Sequence, residues 1–158
     1  MVHTKGSAPR RGSVCGMAIR TANARWDGNF VDGSGVFRTG KGGLEGNYSA
    51  KSRFEEGEGS NPEELIGAAL AACYSMAFGK GLTDAGFPPT TVETTANVHL
   101  ERVDGAQTVT RIDLISSATV PNIDEAQFQQ IAEATKQNCP ISRLLAPGTE
   151  ITLAASLA

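Results

Sequence analysis

The chain has 158 residues, with 14 Lys and Arg against 17 Asp and Glu for a net charge of −3, and it is 40% hydrophobic and 20% charged. At about 150 residues per domain this predicts one globular domain with a real hydrophobic core, and it excludes disordered and fibrous classes. The acidic balance argues against nucleic acid or an anionic membrane as the main partner.

Residues 1–16, with Gly6, Ser7, Pro9, Gly12 and Ser13, have coil composition and no apolar periodicity, so they read as a flexible extension. Met17 is then a candidate start, and residues 17–158 form the single domain. Lys5, Arg10, Arg11, Arg20 and Arg25 occur with no acid among them, which suits a nucleic-acid arm; without interleaved aromatics the segment reads as a solvated tail. The apolar segment after Arg11 is too short for a secretory signal, and the apolar run over 65–73 falls short of the roughly 18 residues of a membrane span. The expected setting is the cytoplasm, with no membrane partner.

Short strands are predicted over 18–26, 36–39 and 48–54, with Gly40-Lys41-Gly42-Gly43 between the second and third. Positions 35–42 read G-x-x-x-x-G-K-G, a phosphate-binding loop lacking its final Ser or Thr and its following helix, so a hairpin turn is expected instead. The strongest helix signal follows. Asn61 can cap, Pro62 suits the first helical position, and Glu63 and Glu64 suit the positive end of the helix dipole. Ile66, Ala69, Leu70, Cys73, Met76 and Ala77 recur at steps of three and four, predicting an apolar face on a helix running to about Gly81.

Pro88 and Pro89 break the chain, after which Val92, Thr94, Ala96, Val98 and Leu100 alternate with polar residues as a half-buried strand. Asp104-Gly105 is a hairpin turn, and Ile112, Leu114, Ser116, Ala118 and Val120 lie on the return strand. A helix is predicted over 124–137 with Phe128, Ile131, Ala132 and Thr135 on one face, then a helical turn opened by Cys139-Pro140, and a last strand with Ile151, Leu153, Ala155 and Leu157. The predicted class is α+β with a mainly antiparallel sheet.

Three cysteines, an odd number, fit a reducing compartment and reactive thiols better than a disulfide framework. Cys15, Cys73 and Cys139 form no Cys-x-x-Cys pair and His3 and His99 are not spaced for zinc, so no metal site is expected. Cys73 sits on the predicted apolar helix face, where desolvation raises its pKa and leaves it inert unless a cation intervenes. A cation at about 4 Å is worth roughly 4 kcal/mol at an effective dielectric of 20, enough to offset much of that cost. Cys139, followed by Pro140, is placed like a helix cap whose free N–H groups face its sulfur, which favours thiolate; alternatively it only terminates the preceding helix. The two lie 66 positions apart, and closing that loop is worth about 4 kcal/mol in the chain-entropy model.

Asn61-Pro62-Glu63-Glu64-Leu65-Ile66-Gly67-Ala68-Ala69 and Ala71-Ala72-Cys73, with Arg53-Phe54-Glu55 before and Asn138-Cys139-Pro140-Ile141-Ser142 after, resemble the OsmC/Ohr family of bacterial thiol peroxidases, the OsmC branch above all. Ala85-Gly86-Phe87, Val120-Pro121 and Glu150-Ile151-Thr152-Leu153 extend the likeness from about Met17 to the C-terminus.

The resemblance implies an OsmC-like fold, with a central cysteine-bearing helix in an intertwined homodimer. It implies a peroxidase of oxidative and osmotic stress defence that reduces organic hydroperoxides, and hydrogen peroxide less well, with cysteine thiols and no cofactor. By the same resemblance Cys73 attacks, Cys139 resolves, Arg53 activates and Glu63 supports it, and a small dithiol or lipoylated protein is the reductant. The organic-hydroperoxide branch carries an arginine after glycine near the N-terminus, where this chain reads Gly28-Asn29-Phe30 and Gly33-Ser34-Gly35, so Arg38 stands as a second candidate for the activating cation.

Glu63 is ten residues before Cys73, about 15 Å along a helix axis, and cannot touch it within one helix. Antiparallel packing of two protomers' helices would bring Glu63 of one chain to Cys73 of the other. Glu64 faces half a turn away from Cys73 and reads as a capping acid. Two other functions remain open: a Cys–His hydrolase using His99, which lacks an oxyanion motif, and a non-catalytic protein binding a small apolar ligand at a helix interface.

Overall fold

A computed structural model describes residues 18–158; the extension, Cys15 and the Met17 start lie outside the described residues. Strands β1 (Ala22–Asp27), β2 (Ser34–Thr39) and β3 (Glu45–Ser49) form an antiparallel N-terminal sheet. Helices α1 (Ala50–Phe54) and α2 (Pro62–Asp84) follow. Strands β4 (Thr91–Val103) and β5 (Ala106–Thr119) then form a hairpin, and after α3 (Glu125–Asn138) and α4 (Pro140–Leu145) the chain returns as β6 (Glu150–Leu157) on the far side of β5. The class is α+β as expected, and three of its four strand pairs are antiparallel. The β5–β6 pair is parallel, because α3 and α4 form the crossover that a parallel connection requires.

The turn chemistry behaves as its residues dictate. Asp104 and Gly105 both have positive φ, 50° and 83°, joining the paired residues Val103 and Ala106, the tight turn whose twist matches a hairpin. The glycine-rich 40–43 stretch is the β2–β3 turn, closed by Thr39 N–H on Leu44 O at 2.9 Å.

The 48–54 strand reading is corrected. The strand ends at Ser49, and the chain turns into α1 because Ser49 and Ser52 cap each other: Ser52 N–H donates to Ser49 Oγ at 3.0 Å and Ser49 N–H to Ser52 Oγ at 2.9 Å.

Asn61 caps α2 as expected, accepting from Glu64 N–H at 2.8 Å, but the helix runs three residues past Gly81. Gly81 serves close packing: a Cβ there would stand 3.2 Å from Ile131 Cγ2 of α3. The helix ends at Gly86 in left-handed conformation, with Phe87 N–H on Leu82 O at 2.9 Å and Gly86 N–H on Thr83 O at 3.0 Å, an arrangement that satisfies its last carbonyls.

The predicted buried face of α2 is also corrected. Leu70, Tyr74, Phe78 and Leu82 are fully buried, whereas Met76 is 74% exposed and Ala69 is exposed. Small or apolar residues surround this helix, so several stripes fit a step of three or four, and the largest side chains decide which one packs inward. The same composition makes α2 long and apolar enough, by length and composition, to cross a bilayer, which counting only uninterrupted apolar residues missed. Here its large side chains meet Ile112, Leu114 and Ala118 of β5 and Phe128 and Ala132 of α3. Phe78 lies 5.6 Å from Tyr74 and 5.3 Å, edge on, from Phe128. The Tyr74 hydroxyl donates to Ala132 O at 3.2 Å, and burial pushes its pKa well above the ordinary tyrosine range. Gly67 lets α2 sit on β4, since a Cβ there would stand 3.3 Å from Ala96 O and from Val98 Cγ2.

Candidate active site

Packing α2 against the α3–α4 junction brings the two cysteines together. Cys73, half-buried on α2, and Cys139, buried between α3 and α4, have their sulfurs 3.1 Å apart as free thiols. Cys139 N–H completes the last turn of α3 on Thr135 O at 2.8 Å, while its own carbonyl accepts from Arg143 N–H at 2.9 Å in α4. It therefore both ends one helix and opens the next, although its side chain makes no capping hydrogen bond to α4.

The thiols titrate in opposite directions. Burial raises the Cys73 thiol, and its contact with Cys139 raises it further against a weaker opposing contribution from the Ile141 backbone. Burial also raises Cys139, but the Ser142 backbone N–H, Cys73, the Ser142 hydroxyl and the Ile141 backbone together outweigh it and bring this thiol below its ordinary value. Within one chain, Cys139 is the more acidic sulfur. Sequence reasoning gave Ser142 no role. Its Oγ is buried without a conventional hydrogen-bond partner among the described residues, and the signal was its place three residues after a cysteine that caps a helix.

The second cluster forms where α1 meets the start of α2. Ser52 Oγ donates to Ser60 O at 2.7 Å and Asn61 Nδ2 to Ser52 O at 3.1 Å, fastening the 55–60 loop so that Arg53 faces Glu63. Arg53 grips that carboxylate through Nε at 3.1 and 3.2 Å and through a terminal nitrogen at 2.6 Å. Glu63 is 9% exposed, and a buried carboxylate needs such a fork. The guanidinium also lies 5.2 Å from the Phe54 ring centroid. Beside it is an apolar cavity of about 300 Å³ lined by Trp26, Phe30, Tyr48 and Arg53, aromatics that carried no signal in the sequence. Arg38 is in register with Glu45 on the neighbouring strand and belongs to the N-terminal sheet.

The structure thus joins Cys73 to Cys139 and Arg53 to Glu63, but it does not join the pairs to each other. Glu63 and Cys73 stand ten residues apart on one helix, about 15 Å along its axis. Glu64 accepts from Ser60 Oγ at 2.8 Å, away from both pairs. His99 pairs with Asp113 at 2.7 Å on the solvent face of the C-terminal sheet, opposite the face that α2 covers.

Likeness to known proteins over most of the chain decides the family. The OsmC-like protein family model matches residues 55–154, which contain both cysteines and Glu63. The chain belongs to the OsmC family. It is 44% identical to the peroxiredoxin OsmC of Escherichia coli K12 over 135 residues, covering 85% of this chain and 93% of that protein, and equally so to its Shigella flexneri counterpart. Its fold is that of the organic hydroperoxide resistance protein of Elizabethkingia anophelis, with TM-score 0.73, 22% identity, and 90% of this chain and 99% of that one covered. The corresponding Bacillus subtilis protein gives 0.67 at 21% identity over 85% and 97%. This OsmC-family chain carries its cysteines 66 residues apart in sequence and in contact in space.

Proposed function

We propose that this protein is a two-cysteine peroxidase that reduces organic hydroperoxides, and hydrogen peroxide less well, at the expense of a thiol reductant, acting as a homodimer in the cytoplasm. The observation that carries the reading is the 3.1 Å contact between free thiols in a chain 44% identical to a named peroxiredoxin.

Cys73 attacks as thiolate on the distal peroxide oxygen. The O–O bond breaks, the alkoxide takes a proton and leaves as alcohol, and Cys73 becomes sulfenic acid. The Cys139 thiolate then attacks the Cys73 sulfur and closes the disulfide, expelling hydroxide, which takes a proton from solvent to leave as water. Two electrons and two protons from the reductant restore both thiols.

A shared site is supported by the ten helical residues that separate Glu63, and the Arg53 it holds, from Cys73 of the same chain, since thiolate attack calls for a cation beside the sulfur. Arg53, held by Glu63, supplies that cation in the reading advanced here, reaching Cys73 of the partner subunit. The face of α2 that the core leaves uncovered, with Ala69 and Met76, is the surface on which a second copy packs. It opens onto an apolar cleft of about 620 Å³ between α2 and the N-terminal sheet, lined by Phe37, Leu44, Leu65 and Ala68 among others. In such a pairing the aromatic cavity beside Arg53 receives the organic part of the hydroperoxide.

The test is consumption of cumene hydroperoxide with a dithiol, run beside Cys73→Ser and Cys139→Ser. Turnover is lost in Cys73→Ser, and Cys139→Ser accumulates a trappable sulfenic acid. The reverse pattern would exchange the roles, and a folded dimer without turnover would leave a ligand-binding protein as the better description.

A further inference from the structure

Between α2 and the C-terminal sheet, hydroxyls stand where the apolar alternation calls for packing. Thr94 lies between Val92 and Ala96 on the inward side of β4, and Ser116, 1% exposed, lies between Leu114 and Ala118 on that of β5. The two face each other across the strands with their oxygens 3.0 Å apart. Ser75 of α2 donates to Thr94 Oγ1 at 2.8 Å, and Ser116 Oγ donates to Glu93 O at 3.2 Å. Each hydroxyl has one hydrogen, so Thr94 donates to Ser116. The chain thus runs one way, from α2 through both strands to the β4 backbone, with every hydrogen used.

The apolar surface of α2 leaves the rotation of the helix about its own axis loosely set, because burial has no direction. A hydrogen bond has one. Among the described residues, Ser75 makes the only side-chain hydrogen bond between α2 and the C-terminal sheet. Cys73 stands two residues earlier, about 200° around the helix, so the two side chains project from opposite flanks. What holds Ser75 on β4 therefore holds Cys73 at the α3–α4 junction. With side chains about 5 Å from the axis, a rotation of about 20° would carry the Cys73 sulfur about 2 Å. The sulfurs are 3.1 Å apart and bond at about 2 Å, so such a swing decides between closure and separation.

We propose that Ser75 is a positioning residue for the redox pair: anchored through Thr94 to Ser116, it fixes the rotation of α2 so that the Cys73 sulfur faces Cys139. The consequence for turnover rests on the peroxidase reading; the alignment of the thiols does not. The cost of the arrangement supports the assignment. Burying hydroxyls is unfavourable unless each is bonded, and apolar residues of similar size would fill the same space. A fully satisfied polar chain in such a place selects one packing among several that apolar contact alone would allow.

The experiment measures the effective concentration of the Cys73–Cys139 pair in the full chain with Cys15→Ser, equilibrated with glutathione and its disulfide in the absence of peroxide. In this exchange the protein dithiol gives two electrons and two protons to glutathione disulfide, leaving the protein disulfide and two glutathione thiols. Ser75→Ala is expected to lower the effective concentration at least tenfold. Ser75→Thr, which restores a hydroxyl, is expected to return it to within threefold of the parent. Thr94→Val is nearly isosteric, removes the acceptor and is expected to match Ser75→Ala; it is the second variant should the first fail to fold. Leu157→Ala trims a partly buried side chain at the end of β6 without touching the hydroxyls, and is expected to leave the value within twofold.

An effective concentration within twofold of the parent in both Ser75→Ala and Thr94→Val overturns the proposal. So does a loss that threonine at 75 does not reverse, or one that Leu157→Ala reproduces. A parent chain that forms no Cys73–Cys139 disulfide overturns it as well, for it has no pair to position. A parent whose thiols pair in glutathione but that never turns over peroxide defeats the peroxidase reading and leaves the positioning role standing.

Discussion

Every residue of β1 is exposed, whereas Ile112, Leu114, Ser116 and Ala118 of β5 are each at most 1% exposed. The contrast extends through the two sheets. Around the N-terminal one, Ile19, Phe30, Val31, Val36, Leu44 and Phe54 all keep more than two-fifths of their surface in solvent. The C-terminal sheet, α2 and α3 hold nearly the whole fully buried core. One region has closed its own hydrophobic core, and the other carries apolar surface in search of cover. The candidate site divides along nearly the same line: the sulfurs lie in the self-sufficient region, and Arg53 lies on α1, next to the sheet that leaves its apolar surface exposed.

Phe78→Ala is the most damaging change expected, costing about 3–5 kcal/mol because a fully buried ring against Tyr74 and Phe128 leaves a cavity. Val36→Ala, on a strand residue 42% exposed, is expected to cost less than about 1 kcal/mol by denaturant titration at low protein concentration. Comparable losses at the two sites would break the comparison.

Next in size is Arg53→Ala, expected to lower kcat/KM about a hundredfold through loss of the charge that holds the thiolate. Lysine at this position is not expected to rescue, since it cannot reproduce the fork on Glu63. Mixed one to one with a Cys73→Ser chain, it is expected to recover about a quarter of wild-type activity, because half the dimers are mixed and each has one intact site. No recovery would place cation and sulfur in one chain.

Ser49→Ala is expected to cost about 1 kcal/mol by removing one half of the reciprocal cap that turns β3 into α1. Its effect on KM measures how far Arg53 depends on that turn. The smallest expected effect is that of Ser142→Ala. Cys139 is held below its ordinary pKa partly by this hydroxyl, so removing it moves the titration upward, leaves less thiolate near neutral pH and slows disulfide closure a few-fold. Ultraviolet thiolate absorbance in a Cys73→Ser background reads the shift directly.

Much of this was legible in the chain. The Asn61-Pro62 start of α2, the Asp104-Gly105 turn and the alternation on β4 and β5 are local signals, and each formed where its residues indicated. The acidity of Cys139 followed from its place before Pro140. The buried stripe of α2 was not legible, because an almost uniformly apolar helix leaves orientation to the volumes of Tyr74 and Phe78. The α1 turn was missed because Ser49 and Ser52 form a capping pair without the usual Glu or Gln. The aromatic cavity beside Arg53 gathers residues from β1, β3 and the loop between β1 and β2, and only tertiary structure brings them together.

The 3.1 Å between the sulfurs also sets a race. In the proposed cycle a sulfenic acid on Cys73 is either captured by Cys139 or struck by a second peroxide, and the second event leads to sulfinic acid, which simple thiols cannot reverse. A partner already in contact acts at an effective concentration far above that of any dissolved oxidant. Closing the disulfide needs the sulfurs to approach by only about an ångström. Such a protein is suited to sudden, concentrated oxidant: a burst of peroxide drives it into the recoverable disulfide and spares it self-destruction.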